Sequence, residues 1–419
     1  MATHEPHKQI SIDQLIPGMF VVRVDIPWYR TPFLFHTFRI EDQATVQTMK
    51  ECGIRTVTID LEKGIDVPSE KHAPPLSLRT TTASSKHLAT AAPAAPPQLK
   101  HESVHALYAE AQEAVERMFT DLEQGIPPSP AATKAVVSDV LSHIIADRTA
   151  VMTHLAIQRI KQFDRSLAAH ALDTCILSLV ISVEEELDET TQTRLGTGAL
   201  LHDIGYVRLP RPLVRRRAEC NDQERLLLYQ HPSIGLALLM NSPGIDQDIL
   251  NIVLQHHERG DGSGYPDGLR HERISHLARI VGIVDWYDGM VNRRGGRPAM
   301  VPHDAIRRLF LAGDHGWFPK SLVELMIRSI GVYPTGSLVL LNTGEQAVVV
   351  GSNTRERLKP LIKIVGKAQG PSYTTPLCVD LANQSQEQER RTILRVLDPT
   401  RELVNIAMYL DETCQQAAS

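Results

Sequence analysis

The spacing of hydrophobic side chains near the start of the chain changes from the period of strands to that of a helix and back. Residues 19–25 and 54–60 are rich in β-branched side chains that partly alternate with polar ones, which is typical of strands. Residues 42–52 between them predict a short helix that stops at Gly53. Residues 8–67 are therefore predicted to form a small α+β N-terminal domain.

A helical period governs the long middle stretch, for which we predict one domain over residues 101–335. Hydrophobic side chains at intervals of three and four over residues 104–122 predict an amphipathic helix. We interpret this helix as the first of the domain, packed on its core. A helix-pairing or signal-transmitting element is the alternative, which lacks the support of sustained heptads. Further helices are predicted at residues 135–145, 167–183, 195–201, 222–240 and 277–291.

The remaining segments lack this helical period. Residues 68–100 are rich in Pro, Ala, Ser and Thr and have few bulky apolar side chains, so we predict a flexible linker there. Residues 336–400 contain short apolar runs, with a turn at Thr343-Gly344, and predict a small β-rich extension. Residues 401–419 are predicted to form a C-terminal tail. The predicted fold class is mainly α, with the small α+β domain before the helical domain and a small β appendage after it.

Length, charge and cysteine content exclude several classes of protein. The 419 residues suffice for two to three domains, since a domain has roughly 150 residues. Lys and Arg number 44 and Asp and Glu 49, and the net charge of −5 disfavours binding of polymeric nucleic acid. Five scattered cysteines without CxxC spacing argue against a disulfide framework and a thiolate zinc site. The polar start resembles no signal peptide and no run approaches about 18 apolar residues, so we expect a cytoplasmic protein without a membrane span.

The positions of some of the 18 histidines indicate a metal site. Five histidines and two aspartates recur in the helical stretch as nitrogen and oxygen donors: His170, His202, Asp203, His231, His256, His257 and Asp285. Such donors suit divalent first-row metals such as iron, manganese or zinc. Seven donors exceed the four of a structural zinc site and the three of a mononuclear catalytic site. The set fits two metals bridged by one carboxylate, for which Asp203, adjacent to another donor, is the natural candidate.

The neighbours of these donors predict that the donors are buried. His202 and Asp203 follow the apolar residues 199–201, and Asp285 follows the apolar residues 280–284. A carboxylate at such a position is costly to bury unless it is paired or bound to a metal. Adjacent donors project about 100° apart on a helix, so each adjacent pair is expected at a helix end. One such histidine alone is more often an ordinary core or cap residue, but the joint recurrence favours the metal.

The motifs around the donors resemble the HD-GYP family, a branch of the HD metal-dependent phosphohydrolases that degrades the bacterial second messenger cyclic di-GMP. The similarity rests on the segments 170–179, 200–205 (Leu-Leu-His-Asp-Ile-Gly), 231–235 (His-Pro-Ser-Ile-Gly), 256–268 (with the double histidine and Gly-Tyr-Pro) and 278–288. These segments occur in the correct order over residues 160–330. The resemblance implies an all-helical HD-type bundle. Residues 8–67 are also similar to the small domain often found ahead of HD-GYP domains.

The resemblance implies a dinuclear metal site. The first metal would be held by His170, His202, Asp203 and Asp285, and the second by the bridging Asp203 with His231, His256 and His257. Some relatives hold a third metal through a carboxylate one helical turn before the first histidine, and Ser166 stands at that position here. Iron or manganese is the first expectation for the two divalent ions, with zinc or nickel as alternatives.

Substrate contacts are implied as well. Arg294 matches an arginine that contacts substrate phosphates in the family, and Arg297 stands in the place of a lysine with that role. A solvated loop is the alternative for both arginines. The remaining implied substrate-binding residues are Tyr206, Gly264, Tyr265 and Pro266.

Tyr206 is the main departure from the family's pattern. The family usually has a lysine after His-Asp-Ile-Gly, and that lysine assists catalysis near the scissile phosphate. A phenol donates a hydrogen bond but carries no positive charge near neutral pH. Loss of the charge removes part of the stabilisation of the transition state, so slow turnover is expected.

The predicted reaction is hydrolysis of cyclic di-GMP to pGpG by a metal-bridging hydroxide, at a site whose catalytic residues are His202 and Asp203, and further hydrolysis to GMP is left open. Two alternatives stay open. In the first alternative, the chain is a weakly active scaffold that binds cyclic di-GMP, because Tyr206 replaces the lysine. In the second, it is an HD phosphohydrolase of another nucleotide. The resemblance implies a protein with a diguanylate cyclase (GGDEF) domain as a partner. A second copy of the chain, in a homodimer, is the other partner considered.

Overall fold

The computed structural model of the chain forms two compact units, Met1–Ala95 and Pro96–Ser419. It describes residues 7–25, 38–40, 42–51, 54–65, 101–161, 166–292, 299–353, 355–367, 372–384, 390–399, 401–402, 404 and 406–410. The predicted linker at residues 68–100 lies outside the described residues, as do Arg294 and Arg297.

The first unit is a small antiparallel sheet with one helix. Its elements are β1 (His7–Ser11), β2 (Phe20–Val24), β3 (Phe38–Arg39), α1 (Gln43–Glu51) and β4 (Thr56–Asp60). The strand order is β1-β4-β2-β3, and neighbouring strands are antiparallel. Apolar side chains of the sheet and of α1 share one core that includes Met19, Val21, Ile40, Met49 and Ile59. The predicted α+β class is confirmed, although β1 and β3 were not predicted.

The second unit is mainly helical, which confirms the predicted class. Its longer helices are α2 (His101–Glu123), α3 (Pro130–Lys161), α4 (Leu167–Glu184), α5 (Glu189–Leu201), α6 (Arg211–Arg215), α7 (Asp222–Leu228), α8 (His231–Leu239), α9 (Gln247–Gln255), α10 (His276–Val291), α11 (Pro302–Asp314) and α12 (Lys320–Ile330). A 3-10 turn at Ile204–Arg208 follows α5. The predicted helices all lie within these elements, with two differences in their boundaries.

One of the two differences has a local cause in the sequence. The pattern over residues 222–240 predicts one helix, but the structure has α7 and α8, separated at Tyr229 and Gln230. Pro232 is tolerated in the first turn of α8, whereas inside a helix it would remove a hydrogen bond and clash with the preceding turn. Helix α3 is longer than predicted and is kinked at Asp147, whose backbone is not helical.

Helix α4 is the centre of the bundle. Every residue from Ala168 to Ser182 is buried, and α2, α3, α5, α10 and α12 pack around it. Its mean hydropathy of 1.6 over 18 residues would also suit a membrane span, but 83% of that window is buried inside the protein. A helix that is apolar all round is expected at the core of a large bundle.

A five-stranded antiparallel sheet follows the helices. Its strands are β5 (Leu338–Leu341), β6 (Glu345–Gly351), β7 (Leu361–Lys367), β8 (Ser372–Asp380) and β9 (Ile393–Leu397), in the order β8-β7-β6-β5-β9. The predicted turn joins β5 to β6, and Gly344 adopts φ 76°, which suits glycine. Strands β8 and β9 were not predicted.

The end of the chain is more than the predicted tail. Helix α13 (Ala407–Leu410) lies against α3 and β6. Ile406 and Leu410 share a buried core with Ile157 of α3 and Leu338 of β5. Apolar side chains of the last segment therefore join the sheet to the helical bundle.

The described cysteines do not behave alike. Cys175 and Cys220 are free and buried. Cys378 is disulfide-bonded, whereas the scattered cysteines argue against a disulfide framework. Burial in the core of α4 raises the pKa of the Cys175 thiol, so this thiol is neutral and unreactive.

Helix α2 packs on the core, as the first interpretation of its pattern predicts. Val104, Tyr108 and Val115 are buried, and α2 contacts both α3 and α4. The Tyr108 hydroxyl donates a hydrogen bond of 2.7 Å to Oδ1 of Asp173, a fully buried carboxylate on α4. This buried hydrogen bond thus joins α2 to the central helix α4 among apolar side chains.

Removal of the Tyr108 hydroxyl should destabilise the helical unit. We expect Tyr108→Phe to lower the free energy of unfolding by about 1–3 kcal/mol, because a buried acceptor loses a donor. Urea unfolding followed by circular dichroism measures the change. Tyr229→Phe, at a ring that is 39% exposed, is the matched control and should stay within about 0.5 kcal/mol of the wild type. Equal unfolding midpoints for the two variants would contradict the assignment.

Candidate metal centre

The seven donor residues come from five helices and meet inside the bundle. His170 lies in the first turn of α4, His231 is the first residue of α8, and Asp285 lies within α10. The two adjacent pairs, His202-Asp203 and His256-His257, stand at the C-terminal ends of α5 and α9. The donor atoms form two groups in which all atoms lie within 4.8 Å of one another: Asp203, His231, His256 and His257, and then His170, His202 and Asp285.

Glycines allow the elements that carry these donors to approach closely. A Cβ on Gly205 would lie 1.9 Å from the carbonyl oxygen of His231, so only glycine permits α8 to begin against the His202-Asp203 turn. A Cβ on Gly282 would lie 2.4 Å from the carbonyl oxygen of His256. The backbone contact at Gly282 brings α10, with Asp285, next to the end of α9.

Asp203 is the common neighbour of the histidines. Its Oδ1 lies 3.3 Å from Nε2 of His231, 3.5 Å from Nε2 of His202 and 3.7 Å from Nε2 of His256. Its Oδ2 lies 3.6 Å from Nε2 of His170. Its carboxylate therefore faces histidines of both groups, which is the position required of a bridging ligand.

Hydrogen bonds at the far side of three rings determine which nitrogen carries the proton. Nδ1 of His202, His231 and His256 lies 2.7, 2.8 and 2.9 Å from the carbonyl oxygens of Ala199, Leu228 and Val253. A carbonyl oxygen only accepts, so Nδ1 is the donor in each ring and Nε2 of the neutral imidazole keeps its lone pair. These carbonyls belong to the last turns of α5, α7 and α9, where helical carbonyls lack partners within the helix.

The lone pairs of these rings face other acceptor atoms. Nε2 of His231 lies 3.2 Å from Nε2 of His256, although both rings carry their proton on Nδ1. Nε2 of His202 is buried and has no hydrogen-bond partner among the described residues. Two ligand atoms at about 2.1 Å from one metal ion are roughly 3.0–3.4 Å apart at octahedral or tetrahedral angles. The donor set therefore fits divalent cations.

Burial keeps the rings in the neutral form that binds metals. Desolvation lowers the pKa of His202 to about 4, although the Asp203 carboxylate acts in the opposite direction. Desolvation also lowers the pKa of His231 and lowers that of His257 well below its usual value, where the neighbouring His256 adds to the effect. Neutral imidazoles are the ligand form, so no proton has to leave these rings near pH 7.

Asp288 is a member of the site that the sequence analysis missed. Its Oδ2 accepts a 2.7 Å hydrogen bond from Nδ1 of His170, and its Oδ1 accepts one of 2.6 Å from the Asn292 amide. The carboxylate thus directs Nε2 of His170 toward Asp285, at 3.0 Å. The signal was present in the sequence, because Asp285 and Asp288 are three residues apart on an apolar helix and share a face.

The Gly-Tyr-Pro loop is held against the site by a buried carboxylate. Glu258, next to His257, accepts hydrogen bonds from the backbone amides of Asp267 (2.7 Å) and Leu269 (2.9 Å). Burial raises the pKa of Glu258, and the two amides oppose that shift. The Tyr265–Pro266 peptide bond is cis. A Cβ on Gly264 would lie 2.4 Å from the backbone nitrogen of Arg259, so Gly264 is packed against backbone.

Two aromatic stacks cover the histidines. Tyr265 stacks on His257 with ring centres 4.6 Å apart, and Tyr229 stacks on the other side of Tyr265 at 4.0 Å. Tyr206 lies flat on His231 at 4.1 Å and is itself nearly buried. The Arg217 guanidinium lies 5.8 Å from the centre of the Tyr206 ring, so a cation adjoins the position where the family has a lysine. Tyr229 and Arg217 were not among the expected site residues.

Two expected substrate contacts and the position of a third metal ligand complete the set of residues singled out from the sequence. Arg294 and Arg297 lie outside the described residues. Ser166 caps the N-terminus of α4, and its Oγ accepts a hydrogen bond of 3.1 Å from the backbone amide of Ala169. The Ser166 hydroxyl therefore already serves the backbone of the helix that carries His170.

Neutralising Asp288 should weaken metal binding, since it holds the His170 ring in place. We expect Asp288→Asn to raise the half-saturating Mn²⁺ concentration about 10–100-fold, the usual effect of losing such a supporting carboxylate. Anaerobic equilibrium dialysis with elemental analysis measures the affinity. Asp222→Asn, at a side chain that is 96% exposed, should bind Mn²⁺ like the wild type. An unchanged affinity in Asp288→Asn would show that His170 needs no such support.

Comparisons with known proteins relate three regions of the chain to described domain families. Residues 139–322 match the HD domain family, residues 7–133 match a domain of unknown function (DUF3391), and residues 338–402 match a KOW domain associated with HD domains. A 3'3'-cGAMP-specific phosphodiesterase of Vibrio cholerae is 29% identical over 142 residues, which are 34% of this chain and 27% of that protein. The solved structure of an HDG"Y"P protein from Bdellovibrio bacteriovorus, 17% identical, covers 76% of this chain and 98% of its own with a TM-score of 0.45.

Similarity over nearly the full length identifies the family. A cyclic di-GMP phosphodiesterase of Pseudomonas aeruginosa is 30% identical over 386 residues, which are 90% of this chain and 90% of that protein. Its similarity extends beyond the HD domain into the regions on both sides of it. Together with the buried histidine and aspartate cluster, this similarity shows that the chain belongs to the HD-GYP family of HD-domain phosphodiesterases.

Proposed function

We propose that this chain hydrolyses cyclic di-GMP to pGpG, and pGpG further to GMP. The observation that carries the proposal is the buried cluster of seven donors, in which Asp203 faces histidines of both groups. The name of the Pseudomonas relative supports cyclic di-GMP as the substrate.

Two divalent ions, iron or manganese, are the cofactors we propose. His170, His202 and Asp285 would hold one, His231, His256 and His257 would hold the other, and Asp203 would bridge them. When bound, such a pair supplies a nucleophilic water that is deprotonated near neutral pH and positive charge for the phosphate oxygens. The capping role of Ser166 supports two ions rather than three. Zinc and nickel stay as alternatives.

The protein's own part in the reaction is to hold donors in place before substrate arrives. Helix-end carbonyls keep the proton on Nδ1 of His202, so its Nε2 is directed at the cluster. Asp288 does the same for His170. Ligands that are already oriented need no rearrangement during the reaction, which is the usual source of electrostatic stabilisation in enzymes. We therefore assign His202 and Asp203 as the central residues of the reaction.

The aromatic rings next to the cluster are proposed substrate contacts. Tyr265 lies on His257, and Tyr229 continues the stack to the surface, where it is 39% exposed. Nucleobases stack on such rings, so this edge suits a guanine of the substrate. Arg294 and Arg297 are proposed to contact the phosphates. Gly264 and Pro266 are proposed to act through the shape of the loop.

Two other functions remain candidates. The 3'3'-cGAMP specificity of the Vibrio relative supports a second cyclic dinucleotide as an alternative substrate. Tyr206 in place of a lysine supports a weakly active scaffold that binds cyclic di-GMP. A cytoplasmic location, a diguanylate cyclase partner and a homodimer stay predictions.

Purified protein loaded anaerobically with Mn²⁺ or Fe²⁺ should convert cyclic di-GMP to pGpG and GMP. Chromatography of the products, with 3'3'-cGAMP as a competing substrate, measures the activity and its specificity. Asp203→Ala should lose at least about 100-fold in rate, because the shared ligand of both groups is removed. Asp222→Asn is the control. If the metal-loaded wild type shows no turnover, the enzyme proposal fails and the scaffold that binds cyclic di-GMP is the remaining function. Equal turnover in Asp203→Ala would contradict the metal mechanism.

The stacking of Tyr206 on His231 predicts that its ring matters more than its hydroxyl. We expect Tyr206→Phe to keep kcat within about threefold of the wild type, and Tyr206→Ala to lower kcat at least about tenfold, since His231 loses its support. Steady-state kinetics with cyclic di-GMP gives both values. Equal losses in the two variants would instead assign the hydroxyl to the substrate.

A further inference from the structure

A polar cavity of about 140 Å³ lies where the helical bundle meets the C-terminal sheet. Its walls come from the second half of α3, the C-terminal ends of α4 and α12, and the segment that follows β6. We call it the junction cavity. Its charged lining residues are Arg148, Glu184, Arg328 and Arg357.

The junction cavity has more positive than negative charge. Three guanidinium groups share one carboxylate: the distances to oxygens of Glu184 are 3.2 Å from Arg148, 3.8 Å from Arg328 and 3.7 Å from Arg357. The charged lining residues therefore sum to +2. Burial lowers the pKa of Arg357, Glu184 raises it, and the charges of Arg328 and Arg148 lower it. Like charges gathered at one cavity repel each other, which an anion would relieve.

Further polar groups at the junction cavity suit an anion. The kink at Asp147 starts a new helical segment, residues 148–161, and Oδ1 of Asp147 accepts a 2.9 Å hydrogen bond from the Ala150 amide. Thr149, in the first turn of that segment, lines the cavity, so the positive end of the helix dipole lies there. Ser329 also lines the cavity, and its buried hydroxyl has no hydrogen-bond partner among the described residues.

The junction cavity is separate from the metal centre. Helix α4 carries His170 near its start and Glu184 as its last residue, and 14 residues of helix span about 21 Å. A site for a whole small molecule usually has roughly 300–1,000 Å³, so about 140 Å³ suits a phosphate group rather than a dinucleotide. Arginine forks match phosphate oxygens in geometry as well as in charge.

We propose that the junction cavity binds a phosphate-type dianion, either free phosphate or the phosphomonoester group of a nucleotide. The anion accepts hydrogen bonds from Arg328 and Arg357, and the Ser329 hydroxyl donates to it. Because Arg357 belongs to the sheet region and Arg148 and Arg328 to the bundle, the anion links the C-terminal sheet to the helices. The site is independent of the proposed phosphodiesterase activity.

A purely structural ion-pair network around Glu184 is the competing explanation, and substitution of Glu184 separates the two. If the arginines serve only to pair with Glu184, then Glu184→Gln destabilises the fold and leaves anion binding unaffected. If the cavity is an anion site, Glu184→Gln raises its charge from +2 to +3 and tightens binding several-fold. Arg357→Gln acts in the opposite direction on binding.

The test is a calorimetric titration of inorganic phosphate, and separately of 5′-GMP, into the full metal-loaded chain at constant ionic strength. We expect Arg357→Gln and Arg328→Gln to weaken phosphate binding about tenfold each, the usual effect of losing a charge-assisted hydrogen bond. Arg355→Gln, a charge removal at an exposed position on the same segment, is the matched control and should bind like the wild type. In Asp203→Ala, where the metal centre is disabled, tighter binding of 5′-GMP than of phosphate identifies a nucleotide as the source of the group, and equal binding identifies free phosphate.

The same titration in Asp203→Ala excludes the metal centre as the binding site. The proposal requires that saturable phosphate binding survives in Asp203→Ala and is weakened by Arg357→Gln. Binding that disappears in Asp203→Ala, or that is the same in Arg357→Gln, Glu184→Gln and the wild type, overturns it. A failure of cyclic di-GMP hydrolysis leaves this result unaffected, because the readout is binding alone.

Discussion

Electron-rich atoms that face one another in the protein interior are the constraint on which the rest of this structure depends. The imidazoles of His231 and His256 present lone pairs to each other at 3.2 Å, and the Asp203 carboxylate lies within 3.7 Å of both rings. In a buried, low-dielectric environment such contacts are unfavourable unless positive charge lies between them. The bundle must therefore be stable enough to hold this arrangement, and the fully buried helix α4 at its centre supplies apolar contacts on every side.

The ends of helices solve two problems at once. The last carbonyls of a helix lack intrahelical partners, and an imidazole that is to offer Nε2 must place its Nδ1 proton on an acceptor. The carbonyls of Ala199, Leu228 and Val253 meet the Nδ1 protons of His202, His231 and His256. Helix α4 differs because His170 lies at its N-terminal end, where carbonyls are paired, and there Asp288 of α10 takes the role of acceptor. Each of these four histidines thus receives its orientation from the element that is within reach.

The same central helix also relates the metal centre to the remainder of the chain. It carries His170 near its start and Glu184 as its last residue, where Glu184 faces Arg357 of the segment that follows β6. Asp173, between them, is joined to α2 by the Tyr108 hydroxyl. The helix that bears a metal-site histidine is therefore also in direct contact with α2 and with a residue of the C-terminal sheet region.

Much of this protein was determined by local sequence. The helical periodicity and the strand patterns predict the mainly α class with its two β-containing flanks, and the recurring motifs predict the seven donors. The hydrophobic pattern alone predicts one helix that continues through Gln230. Pro232, in the first turn of α8, shows that a new helix begins there instead. Strand β8 escaped prediction because polar and apolar residues mix in it without a clear period, and β9 because its apolar run has only five residues.

Only the tertiary structure decided how distant residues act together. In it, Asp288 accepts a hydrogen bond from His170, Tyr206 stacks on His231, and three arginines lie around Glu184. None of these pairings has a local signature, because the two partners are far apart in the chain, even where the sequence marks one of them, as it does Asp288. The sequence by itself therefore determined which side chains are present and which elements carry them. Packing of the helices determined which of them meet, because hydrogen bonds and ring contacts depend on distances of a few ångströms.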